Sequence, residues 1–205
     1  MRRGLYLSAT CLTFLMLNGT TAFAQSGNLA ANAIEIVRGA GAGECSLLEP
    51  DRQSDGFAPT FYEFQHKEIY DDAPKTYRLI RVPCWLGAYN QGDMYVLADP
   101  FDTLTLLTFA VPTYAVKYLD PSEQTKVKSI RVNGYTARTT VVMSDFDPNK
   151  KEISELNLSR GLGDASTRAG WRFKNNGFAL RWFDVDASYD GEINPKRLVE
   201  FGGPR

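Results

Sequence analysis

The chain has 205 residues, with 23 Lys and Arg against 24 Asp and Glu and a net charge of −1. That balance argues against nucleic acid as a partner, because neutralising phosphates needs a net basic surface. The length suits one domain with a substantial core.

The first residues have the order of a secretory signal. Arg2 and Arg3 open it, a mostly apolar run follows from Leu5 to Leu17, and Ala22-Phe-Ala24 precedes Gln25. The run is short of the ~18–20 apolar residues a membrane span needs. Cys11 lies inside it, a poor position for lipidation. We therefore expect residues 1–24 to be a signal peptide cleaved after Ala24, a periplasmic location, and no membrane span afterwards. Removing those 24 residues, two of them arginines and none acidic, leaves 181 residues and a net charge of −3.

Cys11 leaves with that segment, so Cys45 and Cys84 remain. Two cysteines in an exported chain most simply form one disulfide. A free thiol or a metal ligand is the alternative, and a single His (His66) does not complete the Cys/His sets that zinc uses. No cofactor is expected.

Residues 25–205 form one β-rich domain on this reading, with a helix and loop segment over 25–60 and antiparallel strands over 61–205. Asn28 is placed to cap a short helix through Ala30–Val37, ended by Gly39. Glu49–Pro59 is polar and punctuated by Pro, Asp and Gly, a loop. Strands are expected at Phe61–His66, Thr76–Val82, Met94–Ala98, Leu104–Val111, Tyr114–Leu119, Ser129–Val132, Thr136–Phe146, Glu152–Leu158, Trp171–Lys174 and Phe178–Val185. Asp147-Pro-Asn-Lys150 suits a type I turn. Short strands without βαβ alternation point to a mostly β fold, an antiparallel sandwich or open barrel with a short N-terminal helix.

Asn176-Gly177 predicts a two-residue hairpin turn, since both residues tolerate positive φ. That register sets Phe173 opposite Leu180, Trp171 opposite Trp182 and Arg172 opposite Arg181, with Lys174 beside the arginines. Like charges facing each other are unfavourable. Either a carboxylate on an adjacent strand compensates them, or the face binds an anion such as a phosphate or carboxylate.

Catalytic signatures are sparse. No Gly-x-Ser-x-Gly elbow, phosphate loop or dinucleotide fingerprint occurs. Asp145, Asp147, Asp164, Asp184 and Asp190 are candidates for a glycosidase-type carboxylate pair. Arg160-Gly-Leu-Gly-Asp164 reads as a tight structural turn closed by an Arg160–Asp164 ion pair. Asp186, Ser188 and Asp190, with Gly191 and Ile193, imitate a calcium loop, but Arg197 stands where the closing Glu belongs and a strand precedes it instead of a helix. Asp145-x-Asp-x-Asn149 lacks both the Gly and the closing acid.

Cys84-Trp-Leu-Gly-Ala-Tyr-Asn90, Thr136–Thr140 with Phe146-Asp147, and the run Arg160–Phe173 together resemble an exported bacterial domain-of-unknown-function family (DUF1176-type). The resemblance implies export and a compact disulfide-bearing domain, and carries over no catalytic residue. It also implies a second cysteine pair, absent here: Ala165 stands in the Gly-Asp-Cys-Gly position, and Tyr189 precedes Asp190-Gly191. Loss of a whole disulfide would place Ala165 and Tyr189 close in space.

The functional expectation is a periplasmic binding or envelope-interaction module without catalysis of its own. Its candidate surface comprises Tyr89, Asn90, Arg160, Asp164, Arg172, Lys174 and Arg181, and its partner is an envelope protein or a small anionic ligand. The rivals are a carboxylate-pair hydrolase acting on polysaccharide or peptidoglycan and a calcium-stabilised structural module.

Overall fold

The computed structural model describes residues 20–41, 44–49 and 57–202, with side chains from Asn28 onward. The expected targeting segment lies outside these residues except for 20–24, and most of the expected loop over Glu49–Pro59 lies outside them as well.

Helix α1 spans Thr20–Ala40, so it begins well before the expected cap and Asn28 sits inside it. The spacing of Leu29, Ala33 and Val37, each four residues apart, explains the helix: one face is apolar and buried. A single 3-10 turn, Ser46–Leu48, follows Cys45.

Twelve strands follow among the described residues: β1 (Thr60–His66), β2 (Lys75–Leu86), β3 (Gln91–Ala98), β4 (Leu104–Leu106), β5 (Phe109–Tyr118), β6 (Val127–Arg138), β7 (Thr140–Val142), β8 (Asp145–Asp147), β9 (Glu152–Leu158), β10 (Ser166–Lys174), β11 (Gly177–Asp186) and β12 (Lys196–Glu200). The expected strand Leu104–Val111 is divided between β4 and β5. The expected Thr136–Phe146 is divided among β6, β7 and β8, because the chain there passes from one sheet to another. Strand β12 escaped prediction, its Lys-Arg start and Glu end hiding the one deeply buried residue, Val199.

The first sheet has the order β1-β2-β3-β4, with β7 also pairing β3; the second has β12-β11-β10-β9-β8; β5 and β6 form a separate hairpin. All the pairings are antiparallel. The fold is a sandwich rather than a barrel. One core lies between the sheets, where Phe64 and Tyr77 of the first meet Phe146 and Phe173 of the second. The β5–β6 hairpin extends that core, and Trp171 Nε1 donates to Ala110 O at 2.8 Å.

A second core lies on the far face of the first sheet. There Ile80, Val82, Met94 and Val96 pack against α1. The expected disulfide Cys45–Cys84 is present in this layer and ties the segment after the helix to β2. Covered on both faces, β3 reads as an almost unbroken buried run rather than an alternating one.

The β10–β11 hairpin departs from its expected register. Its turn residues are Asn175 and Asn176, at φ 53° and 56°, with Lys174 opposite Gly177. Phe173 therefore faces Phe178, and Trp171 faces Leu180. A bulge follows at Gly170/Trp171, which leaves Arg181 without a cross-strand partner on β10. Tertiary contacts fix this choice: Glu68 Oε1 accepts from Asn175 N at 2.7 Å, and Tyr77 OH donates to Asn176 Oδ1 at 2.7 Å. Arg172 faces Ala179, not Arg181, and on its other side pairs with Glu152 at 3.0 Å. The carboxylate on an adjacent strand thus compensates Arg172.

Candidate functional site

The loop joining β2 to β3 is a tight turn, closed by Gly87 N donating to Asn90 O at 2.7 Å. It leans on the end of β9 in the opposite sheet. Asn90 exchanges hydrogen bonds with the Leu158 backbone, and Tyr89 OH donates to Ser159 O at 3.0 Å. The next turn carries the expected Arg160–Asp164 ion pair, in which both guanidinium arms meet both carboxylate oxygens. Asp164 Oδ2 also accepts from Gly191 N at 2.8 Å, and Arg160 lies over the Tyr189 ring at 5.2 Å. The Arg160 guanidinium, helped by Gly191 N and opposed by burial, holds the Asp164 carboxyl down at about 2.

The structure therefore brings Tyr89, Asn90, Arg160 and Asp164 together. Arg172, Lys174 and Arg181 do not join them. Leu158 and Glu152 mark opposite ends of β9, about 20 Å apart at ~3.3 Å per residue, and Arg172 pairs at the Glu152 end.

Beside Tyr89 and Asn90 opens a groove of about 450 Å³ that sequence reasoning missed. Its polar floor is Arg81, Asp93 and Ser144, and its rim includes the exposed side chains of Leu86, Tyr89 and Met143. Asp93 is 1% exposed. Its Oδ2 accepts from Ser144 Oγ at 2.7 Å and its Oδ1 from Gln91 Nε2 at 2.7 Å. Ser144 Oγ in turn lies 3.0 Å from Tyr95 OH, which acts as donor because the Ser144 proton is already given to Asp93.

Burial pushes the Asp93 carboxyl above its ordinary value against those hydrogen bonds and the nearby Arg81 charge, and burial likewise raises the Tyr95 hydroxyl. Arg81 donates to Ser144 O at 2.8 Å and to Thr60 Oγ1 at 3.2 Å, while its buried Nε has no partner among the described residues. Met143, between β7 and β8, holds φ at 41°, a costly angle for a side chain of its size. One signal for this site was legible: Asp93 is an acid directly before the apolar run Met94–Ala98.

The other carboxylates are largely committed to structure. Asp147 accepts from the backbone of Asn149 and Lys150, as an Asx turn at the expected place. Asp184 pairs with Arg197, and Asp190 accepts from Glu192 N. In the calcium look-alike, Asp186 Oδ1 accepts from Ser188 Oγ at 2.9 Å and Oδ2 from Asn194 N at 2.7 Å. His66 Nε2 lies 3.0 Å from Glu68 Oε1.

These features define a helix-backed, disulfide-tied antiparallel sandwich with a polar groove at its open end. The chain belongs to the family described as a protein of unknown function (DUF1176), whose model matches residues 63–185. The match runs from β1 into β11, so it includes Cys84 and the whole groove floor but leaves out α1 and Cys45. No curated protein and no solved structure matches the chain.

Proposed function

We propose that the protein is an exported binding module of the cell envelope, without catalysis of its own, whose ligand seats in the groove between the β2–β3 loop and Met143. The observation that carries this reading is Asp93. A carboxylate at 1% exposure costs stability that an apolar core would not, and here it lies under a concave, partly apolar surface of the kind ligands use. The strained backbone of Met143 on the rim points the same way. Export is supported by the order of residues 1–24 and by the disulfide, which persists in oxidising compartments. No described helix is long and apolar enough to cross a membrane.

The hydrolase reading keeps one observation in its favour, since a carboxyl raised by burial suits a general acid. Against it, both Asp93 oxygens are engaged by Gln91 and Ser144. Affinity capture from a periplasmic extract tests the binding reading, with Met143→Asp as the groove variant. The wild type should retain a partner that the variant loses. Equal retention by both removes the groove from the proposal, and peptidoglycan cleavage abolished by Asp93→Asn would establish the hydrolase instead.

A further inference from the structure

Two turns at the end of the sandwich remote from the groove carry bulky apolar residues at their corners. In the β1–β2 turn, Asp71 N donates to Glu68 O at 3.1 Å, so Ile69 and Tyr70 are the corner residues. In the β3–β4 turn, Asp102 N donates to Asp99 O at 3.0 Å, which puts Pro100 and Phe101 at the corners. Such positions ordinarily hold Gly, Pro, Asn, Asp or Ser. Pro100 fits that rule, and Ile69, Tyr70 and Phe101 do not. They are also the three most exposed large apolar side chains among the described residues, at 86%, 94% and 85%.

The register brings the two turns to one place. Strand β2 lies between β1 and β3, with His66 opposite Lys75 and Ala98 opposite Arg78, so both turns leave the same end of the sheet. Arg78 also pairs with Asp102 of the second turn. Thr60 and Arg81, beside the groove, mark the other end of β1. Both turns are held in shape. Asp71 accepts from Glu68 N at 3.1 Å and pairs with Lys75, while Glu68 accepts from Asn175 N at 2.7 Å. Asp99 Oδ1 accepts from Phe101 N and Thr103 N, each at 2.8 Å. The backbone therefore holds the three side chains outward.

Charge selects no partner here. The β8–β9 turn reaches the same end, where Lys151 O accepts from Phe173 N at 2.8 Å. Lys67, Lys75, Arg78, Lys150, Lys151 and Lys174 are matched by Glu68, Asp71, Asp72, Asp99, Asp102 and Asp147, and Arg172 is paired with Glu152.

We infer that this end docks on the surface of a zwitterionic lipid bilayer, with Ile69, Tyr70 and Phe101 inserted at headgroup level. Aromatic rings favour that depth, where one side is apolar and the other wet. A second copy of the chain or another folded protein is disfavoured as occupant. Three side chains offer roughly 500 Å², less than the ~800 Å² per partner of a stable protein interface. They also stand on separate convex tips with charged residues between them, a shape that a fluid surface accommodates without a matching pocket. The inference requires no membrane span and is independent of the groove.

The test sediments the full mature chain with vesicles of pure phosphatidylcholine at low and high salt. Binding should saturate, should not respond to salt, and should not strengthen when phosphatidylglycerol is added. Tyr70→Ser with Phe101→Ser should weaken it roughly tenfold. The thermal midpoint should stay unchanged, because both side chains already stand in water. Leu119→Ser with Leu162→Ser removes exposed apolar groups from the turns near Ala187 and Gly191, at the opposite end, and should have little effect. The inference is overturned by absence of binding to phosphatidylcholine, by equal loss in the Leu119 and Leu162 variant, or by binding that requires phosphatidylglycerol. A concentration-dependent dimer abolished by Tyr70→Ser with Phe101→Ser would overturn it in favour of a second copy.

Discussion

Asn90 hydrogen-bonds the backbone of Leu158 in both directions: its Nδ2 donates to Leu158 O at 2.9 Å, and its Oδ1 accepts from Leu158 N at 3.2 Å. A side-chain amide thus continues the edge of β9 as another strand would, and it joins the two sheets at the mouth of the groove. Asn90→Ala should cost about 1–3 kcal/mol, because it leaves two half-buried backbone groups unpaired. Asn90→Asp keeps the acceptor and loses the donor, so it should fall between wild type and Ala in urea unfolding. Equal stability of all three proteins would show that the bridge contributes nothing.

Gly170 is held small by the Trp182 indole. Gly170→Ala forces the ring off the sheet face, with an expected loss of about 1–3 kcal/mol. Tryptophan fluorescence should shift to the red as the ring moves into water. An unchanged spectrum and thermal midpoint would contradict the contact.

The acids predict opposing pH responses. Burial raises the native Asp93 carboxyl above 3.8, so its contribution is complete below 3.8 and is lost as pH rises through the native value. Glu155 is raised by burial in the same direction, against its Arg138 partner. Asp164, held at about 2 by Arg160, contributes above 3.8 and loses that contribution as pH falls towards 2. Unfolding free energies across this range should show a shallower decline on the alkaline side for Asp93→Asn. Asp164→Asn should flatten the acid side. Retention of the wild-type slopes in both variants would refute these assignments.

The disulfide closes a separation of 39 residues. On the chain-entropy model, replacing Cys45 and Cys84 by Ser should remove about 4 kcal/mol. Since the bond ties the chain after α1 to β2, the helix should be the first element to lose hydrogen-exchange protection. Uniform loss across both sheets would point to a different origin.

The turns around Asp164 and Gly191 meet, and Tyr189 lies against Arg160. A double variant, Ala165→Cys with Tyr189→Cys, is expected to form a disulfide, detected as two thiols lost to titration on oxidation. Persistence of both free thiols would place the two positions too far apart.

Strand content was legible because alternation and turn residues act over a few positions, and β9 falls within the bounds its sequence suggests. The Arg160–Asp164 pair was legible for the same reason, its partners being four residues apart. The surface assigned from loop chemistry came together only in part, since Arg172, Lys174 and Arg181 belong to the far end of β9. The hairpin register was misread because Asn175-Asn176 and Asn176-Gly177 both suit a tight turn locally.

By itself, then, the sequence determined the class of fold, the cysteine pair, most strand positions and the short-range ion pair, all governed by periodicity or by nearness along the chain. Tertiary structure decided between the two turns, through Glu68 and Tyr77, and buried β3 on both faces by adding α1. It also built the groove floor by bringing Ser144 to Asp93 across 51 residues. The physical reason is that these contacts depend on how two sheets and a helix stack, and no local pattern encodes which distant partner satisfies a buried polar group.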